Sequence, residues 1–276
     1  MASDDGKSMT FWEHLEELRR RIIISAIAVG ISVAASLTFH NFYAKILTLP
    51  LNMPINVSLA TLIDWVGAPD GSFFGYLSIV LRASGSTVDA KIIKGGVVEG
   101  IMAYIKISFT FGFLMASPVV LYQIWSFIFP ALTHREKRYA LPLFFVIVFF
   151  FVVGAIFAYF IVAPVVMEFS AKLLKDYDNL WELDRYVNFL TRLLIGFGIA
   201  FELPIVMAFL SWIGVINSQG FRERRNYAFL GIFVLSAMLT PADPASMLLM
   251  AIPLIGLYQL GIFLAFLVES EPESYA

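Results

Sequence analysis

Apolar runs long enough to cross a bilayer alternate along this chain with short polar segments. A spanning helix needs about 20 residues, at ~1.5 Å rise each, to cover ~30 Å of hydrocarbon. Residues 22–39, 101–125, 141–162, 187–213 and 246–268 meet that requirement. A further apolar stretch, 229–239, is shorter, and even extended from Tyr227 to Thr240 it covers only roughly 20 Å as a helix. Such a helix must thin the bilayer or have its ends shielded by protein. The pattern predicts an all-α polytopic membrane protein of six transmembrane helices with a short fifth helix, forming a single membrane domain over residues 1–276. Ahead of the first span, Thr10-Phe11-Trp12-Glu13 has the form of a capping box. It predicts an amphipathic helix over 10–21, with Phe11, Leu15, Leu18 and Ile22 on one face and Glu16/Arg20 and Glu17/Arg21 four apart on the other. Residues 40–99 form a long loop. Its apolar run at 72–81 is too short to cross the bilayer and is expected at the interface or packed over the outer end of the bundle.

Composition supports the same class. Hydrophobic residues make up 59% of the 276 positions and charged residues 14%, with a mean hydropathy of +0.81. Soluble domains average about 45–50% apolar and about 25% charged. A net charge of −2 gives no footprint for nucleic acid. The absence of cysteine removes disulfides, thiolate metal sites and cysteine nucleophiles. The N-terminal segment is not expected to be a cleaved signal, because Asp4 and Asp5 open it and no small-residue cleavage pattern follows. Six crossings place both termini on one side. Lys7, Arg19, Arg20, Arg21, Arg135, Lys137, Arg138, Arg222, Arg224 and Arg225 collect on that side. The positive-inside rule then makes both termini cytoplasmic and 40–99 a periplasmic loop.

Several residues invite chemistry, each beside a plainer reading. Glu202 lies near the middle of the fourth span, where a carboxylate costs about 2.5–3.5 kcal/mol on insertion scales. Pro204 removes a backbone bond and is expected to kink the helix there. The site is either a polar docking spot facing a groove or a structural hydrogen bond to another span. Glu136 belongs to Thr133-x-x-Glu136, a capping box for the third span, and its carboxylate can cap, bind, or do both. Glu17 reads first as an i,i+4 partner of Arg21. Asp243, followed by Pro244, reads as a helix N-cap. Lys106 and Arg192 lie near the outer ends of their spans and can snorkel. His14, His40 and His134 show no metal-ligand spacing, and no phosphate loop, serine elbow or zinc-protease motif is present. A transporter coupled through Glu202 would need more intramembrane polar residues and a repeat symmetry that the chain lacks. An intramembrane enzyme would need a nucleophile–base pair.

The segments HLEELRRRI (14–22), ASPVVLYQIWSFI (116–128), FPALTHREKR (129–138), AYF (158–160), FGIAFELP (197–204), LTPAD (239–243) and AIPL (251–254) together resemble the TatC subunit of the twin-arginine translocase. The resemblance runs from His14 through most of the chain. It implies a concave, glove-like bundle in the inner membrane that acts as a receptor for folded export substrates and is not an enzyme. Their signal peptides carry paired arginines, and the resemblance places the binding site at Glu17 and Glu136, with Arg19 and His14 in the same region. Guanidinium groups bind carboxylates bidentately, so lysine is not equivalent. It further implies an intramembrane polar site at Glu202 and contact with single-span partners resembling TatA and TatB through the fifth and sixth spans, around Pro204, Met238, Thr240 and Asp243. Homo-oligomerisation within the complex and export driven by proton-motive force, without cofactor, metal or nucleic acid, complete the expectation. The chain departs from the family in its longer first outer loop, in Met247 where glutamine is frequent, and in Gln259, which cannot ionise where glutamate is common.

Overall fold

A computed structural model describes residues 11–48, 91–93, 97–129, 134–173, 180–240 and 244–269. In chain order the elements are α1 (Phe11–Thr38), α2 (His40–Thr48), β1 (Lys91–Ile93), α3 (Val97–Ile128), α4 (His134–Phe157), a π-helical turn (Ala158–Val162), α5 (Ala163–Leu173), β2 (Leu180–Glu182), α6 (Leu183–Trp212), α7 (Ser218–Glu223), α8 (Arg225–Leu239) and α9 (Pro244–Val268). Five helical stretches are long and apolar enough to cross a membrane: Trp12–Thr38, Val98–Ile128, Leu141–Met167, Leu183–Trp212 and Ser246–Val268. The apolar α8 is shorter, at 15 residues. Outside the helices, β1 and β2 pair in parallel, with Lys91, Ile92 and Ile93 opposite Leu180, Trp181 and Glu182. The run at 72–81 lies outside the described residues. Both flanks of that long loop carry structure, in α2 and β1.

The chain divides into two compact units, with the boundaries falling inside α3 and α4. One unit is Met1–His40 with Ser108–Phe149. Its central feature is the antiparallel approach of α1 to α3. A methyl group on Gly112 would sit 2.6 Å from the Cα of Val33, so only glycine lets the two backbones come this close. At the far end of the same pair, the ring of His14 stacks on Phe127 at 4.3 Å. The first turns of α1 present a different face from the one the apolar pattern suggests. His14, Glu17, Leu18 and Arg21 are partly buried, while Trp12, Leu15 and Ile22 are exposed. The polar side chains turn toward partners on α3, as Arg21 does toward Gln123, because a sheltered charge needs a partner more than an apolar side chain needs cover.

The second unit, Asn41–Ile107 with residues from Phe150 onward, is organised around α6. Tyr186, Val187, Leu190, Leu193, Leu194 and Phe197 are buried along it, a spacing that follows one broad helical face. Its largest packing partner is α9. There a methyl group on Gly261 would meet the Met207 sulfur at 2.5 Å and the Pro204 Cα at 3.2 Å. Within α4, Gly154 lies under the Phe197 carbonyl, 2.5 Å from where a Cβ would stand. Small residues at such contacts let membrane helices gain close packing where no hydrophobic drive exists between them. Hydroxyls fasten the irregular segments. Tyr186 donates to the Leu47 carbonyl at 2.5 Å, and Tyr159, in the π-helical turn, donates to the Ile46 carbonyl. The Ser211 hydroxyl donates to the Ala265 carbonyl at 3.1 Å.

Candidate functional site

Two polar sites stand out, one in each unit. The first is on α1. Glu17 and Arg21, four residues apart on a helix, fall on the same side and form an ion pair at 3.1 Å. Arg21 then reaches across to α3, where its Nη1 donates to the Gln123 side-chain oxygen at 3.0 Å. The pair is largely sheltered, with 17% of the Glu17 side chain and 26% of Arg21 exposed. Satisfaction is incomplete: among the described residues, Oε2 of Glu17 and Nε of Arg21 are buried without a hydrogen-bond partner. A carboxylate offers about four lone-pair sites, so Glu17 keeps accepting capacity beyond its bond from Arg21. His14 lies one turn before Glu17, held by its stacking on Phe127, while Arg19 is exposed. Glu136 occupies the first turn of α4; Thr133, its expected capping partner, lies outside the described residues.

Sequence pattern alone does not single out Gln123. Its signal is there in retrospect, as the lone amide in the otherwise apolar run Leu121-Tyr122-Gln123-Ile124-Trp125. It is 7% exposed. An amide so buried needs a partner, and Arg21 supplies it.

The second site surrounds Glu202, two residues before Pro204 in α6. Both carboxylate oxygens are buried and lack a hydrogen-bond partner among the described residues. Phe157 packs against Phe201, ring centroids 5.3 Å apart, and against Phe197 at 5.9 Å, walling this stretch of α6 with aromatic surface. Pro204 is fully buried and sits within an uninterrupted helix; it has no N–H to offer the carbonyl one turn earlier. Of the residues expected at a partner surface, Met238 is 66% exposed. Thr240 is buried, its hydroxyl donating to the Ser236 carbonyl at 2.9 Å. Asp243 lies outside the described residues.

A third polar contact links Lys106 of α3 to Asp184 at the start of α6, at 2.7 and 2.9 Å to its two oxygens. Asn188 adds a bond to the same carboxylate at 3.2 Å. Lys106, expected to snorkel outward, is therefore an anchor between two long helices.

Long apolar helices, close small-residue crossings and a few sheltered carboxylates define a polytopic α-helical membrane protein. Comparison with known proteins makes the class specific. The family described as Sec-independent protein translocase protein (TatC) matches residues 13–253. The chain belongs to the TatC family. A Sec-independent protein translocase protein TatC from Aquifex aeolicus is 36% identical over 261 residues, covering 93% of this chain and 94% of the relative. One from Desulforapulum autotrophicum is 33% identical over 263 residues, with 95% and 86% covered. The crystal structure of a twin-arginine translocase receptor, TatC, matches with a TM-score of 0.72 at 35% identity, covering 93% of this chain and 99% of that one.

Proposed function

We propose that this chain is the receptor subunit of a twin-arginine translocase, binding signal peptides that carry paired arginines and taking part in export of folded proteins across the inner membrane. The observation that carries this reading is the half-satisfied carboxylate of Glu17 in a TatC-family chain. Arg21, secured by Gln123, holds one oxygen and leaves Oε2 for an incoming guanidinium. Glu136, at the start of α4, is the second acceptor, so that each arginine of the pair takes one carboxylate. A lysine has three donors on a point charge and cannot present the planar fork, which gives the site its preference for arginine. His14 and Arg19 flank the site and orient the peptide.

The same reading places both termini in the cytoplasm, in line with the basic residues of the short loops. Single-span partners resembling TatA and TatB dock beside Glu202. Met238 supplies exposed surface to them, Pro204 and Thr240 shape that surface from within, and Asp243 is a further contact residue. Copies of the receptor assemble within the complex, and proton-motive force drives transport.

The test is titration of a fluorescent twin-arginine signal peptide into the purified protein in detergent, beside the same peptide with paired lysines. Arginine-dependent binding that falls at least tenfold in both Glu17→Ala and Glu136→Ala is the expected result. Equal binding of both peptides, with both variants silent, overturns the assignment.

A further inference from the structure

The segment between α6 and α8 carries charge that the receptor reading does not use. Arg222 lies in the last turn of α7, which ends at Glu223; Arg224 joins α7 to α8, and Arg225 opens α8. All three are exposed, and among the described residues none makes a side-chain hydrogen bond or ion pair. The acidic groups nearby are already engaged. Glu223 accepts from the Gln219 amide at 3.0 Å, and Glu269 accepts from the Ser218 hydroxyl at 2.6 Å. Three guanidiniums without an ion pair among the described residues thus share one short turn, beside an open depression of about 630 Å³ bordered by Val215, Asn217, Gly220, Glu223 and Arg224.

What lies next to them decides the partner. The 15 residues of α8 span only about 22 Å, against ~30 Å of hydrocarbon. One side of this helix near its start, Tyr227, Leu230 and Val234, is exposed at 79%, 64% and 55%, a stripe suited to acyl chains. Tyr227 at its head has the amphipathic character of residues found at the membrane interface. At the opposite end Thr240 is buried and bonded within its own helix, and α8 carries no basic residue after Arg225. The shortfall in length therefore falls on the arginine end.

We propose that Arg222, Arg224 and Arg225 form a binding patch for the phosphate groups of anionic phospholipid, whose acyl chains lie along the exposed stripe of α8. The patch draws headgroups toward the short helix and so fixes the side on which the bilayer thins. Guanidinium suits this role because its planar fork bonds phosphate oxygens in pairs. The proposal requires α8 to lie in the bilayer and is independent of signal-peptide recognition at Glu17.

The experiment titrates fluorescent short-chain phosphatidylglycerol into the purified full chain in neutral detergent, beside phosphatidylcholine of the same chain length. Each basic residue near a membrane surface contributes roughly fivefold to attraction of anionic lipid. The combined R222Q/R224Q/R225Q variant should then lose on the order of a hundredfold in affinity for phosphatidylglycerol, while an R20Q control on α1 stays within about threefold of the parent. Equal affinity for the two lipids, or equal loss in the control, overturns the proposal. Glycerol 3-phosphate is the arm for soluble phosphate, and displacement of the lipid by it at matched concentration overturns the assignment to a lipid. Should the glutamine variant fail to fold, salt titration of the parent decides: binding that weakens steeply with salt supports the patch, and binding indifferent to salt refutes it.

Discussion

The close approach of α1 to α3 sets the candidate receptor site, and Gly112 is the position that tests it. Replacing Gly112 by alanine puts a carbon 2.6 Å from the Val33 Cα and 2.7 Å from its nitrogen. Carbon atoms pack at ~3.5–4.0 Å, so the helices must part by roughly 1 Å. The obstacle is backbone, so no side-chain rotation relieves it. Overpacking of this kind costs typically 1–3 kcal/mol, which is about 5- to 150-fold in the unfolding equilibrium. The control is Gly30→Ala on the same helix α1, where an added methyl meets nothing within 4 Å. There the gain in helix propensity should stabilise by about 0.5–1 kcal/mol. The two alanines thus act in opposite directions. Unfolding in mixed micelles of mild detergent and sodium dodecyl sulfate, followed by circular dichroism, measures the difference. The function-linked readout is peptide affinity. A separation of about 1 Å stretches the 3.0 Å bond from Arg21 to Gln123 beyond hydrogen-bonding range, so Gly112→Ala should weaken arginine-peptide binding while Gly30→Ala leaves it unchanged. If the two variants unfold together and bind alike, the backbone contact described here does not govern the site.

Gln123→Leu should destabilise by about 1.5–3 kcal/mol, because Arg21 loses its acceptor on α3 and a hydrogen bond to a charged group is worth roughly that much; the same unfolding assay checks it. Lys106→Met and Asp184→Leu should each cost about 1–2 kcal/mol, discounted for their partial exposure to solvent, and the double variant should cost less than their sum. Additive losses in that cycle would show that Lys106 and Asp184 do not interact. Glu202→Leu removes two buried oxygens without hydrogen-bond partners, so the isolated protein should gain about 1–3 kcal/mol while assembly with single-span partners is lost. A stable variant that still co-purifies its partners would refute a docking role for Glu202. Tyr186→Phe deletes the donor to the Leu47 carbonyl and should cost about 1 kcal/mol, with faster amide exchange along α2 read by mass spectrometry.

The membrane class, the positions of the long helices and the shortness of α8 were all legible in the chain, because hydrocarbon thickness converts directly into a count of apolar residues. Glu202 was equally legible, since a carboxylate within such a run has no cheap explanation. What the chain alone could not reveal is which way each helix faces. Ile22, Ile27 and Ile31 are exposed on α1 while Glu17 and Arg21 are sheltered, the reverse of what an apolar stripe predicts in water. In lipid both faces of a helix are apolar, so periodicity says little about rotation. Rotation is decided instead by a few small residues and a few polar contacts between distant segments. Arg21 and Gln123 lie 102 positions apart, Lys106 and Asp184 78 apart, and Tyr186 finds the Leu47 carbonyl across 139. No local pattern encodes such pairings. Tertiary packing alone brings these groups together, and it does so because a polar group in hydrocarbon has few other partners to find.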